Sequence, residues 1–344
     1  MGNRFGSTGL GHTCLRMHHR RRSILARFEQ KLQVPRLQSV PFSMQTILRV
    51  AILIALLPIH VAAQSLPNEI IGNRIRVPGS SVDGTTASLS EVERELVEAL
   101  APQQQAERLL QYAISHHVGA TDEIKARVAR WRGFISITEA MATLLDVARN
   151  GSDLRVRAAA IEIELASFNI AKTTAQVETL LAQITADAKN ARLAIYTLGQ
   201  LGNRGVATDR IHAELRVLTR SDDELVRYQA YAAIANLGTD ESVTDLVAAF
   251  HHDPSSNVRI NGGGCGLAHC GMLTRAQRML AIPGLLEMAE DGSLDATLRV
   301  YAYRALREIT DETLPDDLLR WREWYAAKGA ETLEKFRRTE GPGA

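Results

Sequence analysis

The sequence predicts an all-α fold, a right-handed solenoid of stacked helix pairs, and three observations carry that reading. Residues 222–238 place apolar side chains at Val226, Ala230, Ala233, Ile234 and Leu237. Those are offsets 0, 4, 7, 8 and 11, one face of an α-helix. The same five offsets return 72 residues later, at Leu298, Ala302, Ala305, Leu306 and Ile309. Acids suited to opening a helix recur at Asp153, Asp187, Asp223, Asp253 and Asp295, spaced 34, 36, 30 and 42 residues apart. A template that recurs at this period marks a repeat protein. One helix pair cannot bury its apolar face alone, so stacked neighbours bury it.

The chain has 344 residues, 45% apolar and only 5% aromatic, a make-up that suits closely packed helices. Its formal net charge of +1 is unevenly spread. Residues 1–43 hold eight Lys or Arg, among them Arg20, Arg21 and Arg22, against the single acid Glu29. Met44–Ala63 follows the pattern of a secretory signal peptide. Arg49 supplies the charged start and Val50–Leu57 the apolar centre. Val61 and Ala63 supply the small residues before a cut at Gln64. The apolar run is far shorter than the roughly 20 residues a membrane span needs, and Pro58 and His60 follow it. No permanent membrane anchor is expected. The expectation is that Met44 starts the translated chain and that 1–43 is an over-called extension, the alternative being a long basic leader. Residues 64–87, with Pro67, Pro78, Gly79 and Gly84, read as a flexible linker. Without residues 1–63 the chain keeps 31 basic and 38 acidic side chains, a net charge of about −7. Such a charge speaks against a nucleic-acid surface.

Residues 88–150 read as a helical N-terminal cap or degenerate repeat. Ser90-x-x-Glu93 is a capping box. Pro102 suits a first turn, and that helix runs through Leu109, Leu110 and Ala113 to His116-His117. Thr121 opens a helix ending at Trp131. Ser136-x-x-Glu139 is a second capping box, and its helix stops at Asn150-Gly151. The repeats proper occupy 151–311. A capping helix lies within 312–339, centred on 316–328, with Trp321, Trp324 and Tyr325 on its apolar face. Residues 340–344 are expected to fray.

Two stretches, 153–160 and 223–230, share the pattern Asp-x-x-Val-Arg-x-x-Ala, and Leu-Gly closes helices at 201–202 and 237–238. The chain resembles HEAT-repeat proteins, especially the subclass named after phycobilisome lyases. The stretch 253–325 is similar to the closing part of secreted bacterial HEAT-repeat proteins. It carries Asp-Pro-Ser-Ser-x-Val-Arg, then Ala-Leu-Arg-Glu-Ile-Thr, then Trp321-x-x-Trp324. Asp153–Arg157, Asp223–Arg227 and Asp295–Arg299 are each four apart on one helix face. The resemblance implies that these residues, with Arg259, form a structural ladder between repeats. It also implies a periplasmic or secreted protein of a bacterium.

The most unusual stretch is Ile260–Gly271, which carries Gly262, Gly263, Gly264 and Gly266 where a second helix is due. Each costs about 1 kcal/mol relative to Ala in a helix. The favoured reading is a loosely packed repeat with two small thiols. A phosphate loop lacks its Gly-Lys-Ser/Thr. A metal site would draw on Cys265, His269 and Cys270, with His251 or His252. Cys265 and His269 share a face, but the spacing is not a standard zinc pattern. On a continuous helix Cys265 and Cys270 would point about 140° apart, poor geometry for a disulfide. His116-His117 and His251-His252 sit near helix C-termini, where the dipole favours imidazole.

No catalytic residue and no cofactor is assigned. The His-Glu dipeptides of deoxyhypusine hydroxylases are absent, DNA glycosylases of this architecture need a basic groove, and the repeat alone does not define a bilin lyase site. No Gly-x-Ser-x-Gly elbow occurs. The expected role is a protein-interaction scaffold, with an enzyme or metal-binding module centred on 251–271 as the alternative. Another protein is expected to bind along the second helices, over Tyr196, Tyr231 and Tyr303. Gly263 should leave a shallow gap between the last two.

Overall fold

A computed structural model describes residues 87–186 and 188–340 as an all-α solenoid. The expected extension, signal peptide and nearly all of the linker lie outside the described residues, as do Asp187 and residues 341–344. The only pairing of extended backbone among the described residues is an isolated bridge between Ser88 and Val118.

Four helices precede the repeats: α1 (Glu91–Glu98), α2 (Pro102–Ile114), α3 (Ala120–Trp131) and α4 (Glu139–Asn150). The Ser90 hydroxyl accepts from the Glu93 amide while the Glu93 carboxylate accepts from the Ser90 amide, so the first capping box is present. The second is not. Helix α4 starts from Thr138, whose hydroxyl accepts from Met141 N. The Ser136 amide donates instead to Gln103 of α2, 2.9 Å away.

Helix α5 (Leu154–Ser167) joins two cores. Val156, Ala159, Ala160 and Ile163 pack with α1–α4, whereas Ile161 and Leu165 pack with the helices that follow. A helix covered on all sides buries its polar positions too. Glu162 and Glu164 are accordingly buried, and each has a cation: Lys172 for Glu162, Arg149 for Glu164. Gln200 donates to the second oxygen of Glu164.

The array continues as α6 (Thr174–Ala186) with α7 (Ala188–Asn203), and α8 (Thr208–Leu218) with α9 (Glu224–Leu237). Next, α10 (Asp240–His252) pairs with a π-helical segment, Val258–Gly264, that runs into α11 (Cys265–Ala268). Helix α12 (Arg275–Arg278), a 3-10 turn and α13 (Ile282–Glu290) then pair with α14 (Ala296–Thr310). Helix α15 (Leu318–Glu340) closes the array and is longer than the sequence suggested. Trp321 and Trp324 are buried edge-to-face, 5.8 Å between ring centroids, and Tyr325 is half-buried. Phe336 holds the far end beneath the Arg275 guanidinium, 3.9 Å away.

The recurring acid and arginine have distinct tasks. Asp153, Asp223 and Asp295 cap α5, α9 and α14, each accepting a backbone N–H of the first turn. Asp253 accepts Ser255 N at 2.9 Å but stands two residues short of the capping position. Ser255 takes that place, and Asp253 is buried against Arg227 of the preceding repeat. The arginines fold back onto carbonyls of the turn just before their own helix. Arg157 donates to Gly151 O, Arg227 to Ser221 O, Arg259 to Asp253 O and Arg299 to Leu294 O. Arg227 alone of these also forms a two-pronged ion pair to the next repeat, at 2.9 and 3.1 Å from Asp253. Arg259 and Arg299 thus bond carbonyls of their own turns, and among these four arginines the ion-paired rung between repeats is Arg227–Asp253.

The glycine run is not loose. Gly262, Gly263, Gly264 and Gly266 are all buried. A Cβ at Gly263 would lie 2.5 Å from Phe250 N and 2.7 Å from Leu246 O, so this helix rests directly on the α10 backbone. The missing side chains are replaced by another helix. Gly263→Ala should therefore destabilise the protein by about 1–3 kcal/mol, although Ala is favoured by about 1 kcal/mol in an unconstrained helix. Gly292, with nothing near its Cβ position, is the control. Urea unfolding should show a lower midpoint for Gly263→Ala and little change for Gly292→Ala.

Candidate functional site

The chain leaves α11 in a sharp turn. His269 has φ −152° and ψ −12°, and Gly271 has φ +72°. A Cβ at Gly271 would run into the Ala235 carbonyl, so only glycine fits. Met272 N donates to Ala235 O at 2.8 Å, which ties the loop across the end of α9.

This turn brings Cys270 back over Cys265. Cys270 N donates to Cys265 O at 2.7 Å, the Cα atoms are 5.2 Å apart, and the two residues are joined as a disulfide. The sequence-based objection to that pairing assumed a continuous helix, and the helix ends between them. His269 lies on the same loop. Its Nε2 is 3.6 Å from Cys265 Sγ, and its Nδ1 is 2.7 Å from the Glu308 carboxylate on α14. The hydrogen bond to His269 pulls the Glu308 carboxyl down to about 2 despite partial burial, and Arg304, 2.7 Å away, adds to the effect.

Two arginines hold the backbone of this loop. Arg278, only 4% exposed, donates to the carbonyls of Gly266, Leu267, Cys270 and Leu273 at 2.7–3.1 Å. Arg157 reaches from the start of α5 to His269 O at 2.9 Å and Gly271 O at 2.6 Å. Burial, and then the charge of Arg157, push the Arg278 guanidinium down to about 9, which leaves it protonated at neutral pH. Sequence reasoning missed the role of Arg278 because its partners are backbone carbonyls.

The other residues singled out from sequence lie elsewhere. His251 pairs with Asp291 at 2.9 Å and stacks on His252, 4.0 Å between ring centroids, and neither joins the Cys265–His269–Cys270 group. His116 lies 3.4 Å from Asp153, and His117 packs against Tyr112. Among the tyrosines, Tyr303 is 8% exposed and belongs to the core, which removes it from any binding surface. Tyr196 is half-buried beside Arg149. Tyr231 is half-buried and lines an open cleft of about 750 Å³, with the α8–α9 turn on one side and His252 and Pro254 on the other. The expected gap at Gly263 does not form, because the α10 backbone occupies it.

Residues 177–261 match a family model of HEAT repeats. The chain carries HEAT repeats. The matched segment runs from α6 into the π-helical stretch, so it includes Tyr231, Arg227 and Asp253. Searches of curated proteins and of solved structures gave no match. Among the described residues, Cys265, His269 and Cys270, just beyond the matched segment, form a group whose side chains could hold a metal ion.

Arg278 offers a direct check on how the loop is held. Arg278→Met keeps an apolar stem and removes every donor. An unsatisfied buried carbonyl costs about 1–3 kcal/mol, so losing partners for four should cost at least about 4 kcal/mol. The urea midpoint should fall accordingly; an unchanged midpoint would show that the loop stands without it.

Proposed function

We propose that this HEAT-repeat chain is a protein-interaction scaffold, exported from a bacterial cell and acting in the periplasm or outside it. HEAT repeats commonly mediate contacts between proteins, and an α-solenoid offers the extended surface such contacts use. The export reading rests on the signal-peptide pattern of Met44–Ala63. No described helix is long and apolar enough to cross a membrane. The acidic balance after residue 63 favours a protein partner over nucleic acid. The Asp-x-x-Val-Arg pattern supports placing the repeats in the phycobilisome-lyase-type subclass.

The single observation that carries the binding reading is the cleft beside Tyr231. It lies in a matched repeat, stays open, and joins an aromatic ring to charged walls from Asp222, Glu224 and Arg220. Tyrosine suits such a place because it offers a large rigid contact area with a polar tip. A partner segment of mixed charge with one apolar side chain fits this lining.

Tyr231 and Tyr303 occupy the same repeat position, which makes them a matched pair for testing. Tyr231→Ala should lose partner capture from the native host while the melting temperature changes little. Tyr303→Ala should instead destabilise the fold by about 3 kcal/mol, the usual cost of truncating a buried aromatic ring. Full capture by Tyr231→Ala would remove the cleft as the binding site.

A further inference from the structure

Beyond the scaffold reading, we propose that the loop after α11, in its dithiol form, binds one thiophilic d10 metal ion. The ion is Zn²⁺, held by Cys265 Sγ, Cys270 Sγ and His269 Nε2.

Four observations support this. The ligand atoms of Cys265, His269 and Cys270 all lie within 4.8 Å of one another. The Cys265 Sγ to His269 Nε2 distance of 3.6 Å equals the edge of a zinc tetrahedron. Zinc–sulfur and zinc–nitrogen bonds of about 2.3 and 2.0–2.1 Å at a tetrahedral angle place S and N about 3.6 Å apart. The histidine is also oriented for ligation. Glu308 engages Nδ1, which leaves Nε2 facing the sulfurs, the carboxylate–histidine–metal arrangement. Finally, the backbone is already fixed by Gly271 and by the Arg157 and Arg278 hydrogen bonds, so little ordering remains for the ion to impose.

The donor set selects the metal class. Two thiolates and one imidazole suit zinc or cuprous copper and not the hard cations, which take carboxylate and carbonyl oxygens. The His269 side chain is 56% exposed, so the ion has a path in from solvent and a fourth position open to water. The non-standard Cys-x3-His-Cys spacing follows from the helix end, which folds Cys270 back over the last turn.

The chemistry balances as follows. In the disulfide form the sulfurs are bonded to each other and cannot both ligate. A dithiol reductant supplies two electrons and two protons, the S–S bond breaks, two S–H bonds form, and the reductant becomes a disulfide. Zinc then displaces one proton from each thiol and binds neutral His269. Disulfide and zinc are therefore alternative occupants of one loop, and the redox state decides which is present.

The test uses the full-length protein, reduced anaerobically with dithiothreitol and freed of reductant. Zinc is measured by elemental analysis after gel filtration and by competition with a chromophoric chelator. Co²⁺ serves as an optical reporter of thiolate ligation. One equivalent of zinc is expected in the reduced protein and none in the disulfide form. Cys265→Ser with Cys270→Ser should abolish binding. His269→Ala should weaken it at least about tenfold, and Glu308→Ala by about 10–100-fold, the usual effect of losing an outer-shell partner. Because His269 is exposed, its alanine variant should fold, and a melting curve of the apo form confirms that. Zinc binding by the reduced protein no better than by the double serine variant would overturn the proposal. So would an unchanged affinity and Co²⁺ spectrum in His269→Ala.

Discussion

The array depends on hydrogen bonds from guanidinium groups to backbone carbonyls. A turn between two helices interrupts the helical ladder and leaves carbonyls without a ladder partner. Buried backbone groups must be satisfied. In four repeats an arginine four residues past the capping residue bends back to do it: Arg157, Arg227, Arg259 and Arg299. The capping Asp or Ser takes the free N–H groups of the new helix, and the arginine takes the free C=O groups of the turn before it. One short motif thus serves both orphan sets at these four junctions.

The same device positions the cysteine–histidine loop. Arg157 makes two contacts to it in addition to its own turn, and Arg278 adds four more. Two buried cations close together are unfavourable on their own. Six carbonyl acceptors offset that cost, and the result is a loop whose path is set by α5, α9 and α14 together. A side chain on such a loop is placed by several repeats at once. That is how a solenoid, whose units otherwise touch only their neighbours, can build a defined site.

The sequence made the fold legible because a five-position apolar template leaves little freedom once it recurs. It also showed Asp153, Asp223 and Asp295 as helix openers, since a cap is a local interaction. What depended on distant backbone stayed hidden. The four glycines look like a weakness until the α10 backbone is seen lying against Gly263. Cys265 and Cys270 look misaligned until the helix is seen to stop between them. Tyr231 and Tyr303 share one offset but differ in exposure: Tyr303 belongs to the core, whereas Tyr231 only packs against it and lines the cleft. Periodicity defines a face; it does not say what comes to cover it.

The claim that geometry, and not charge alone, holds the junctions is tested most directly at Arg157. Lysine keeps the positive charge and loses the planar fork that reaches Gly151, His269 and Gly271 at once. Urea unfolding of Arg157→Lys against the parent protein is the measurement. A midpoint lowered by the equivalent of about 2 kcal/mol is predicted from the lost charged hydrogen bonds. A midpoint unchanged from the parent would contradict the account.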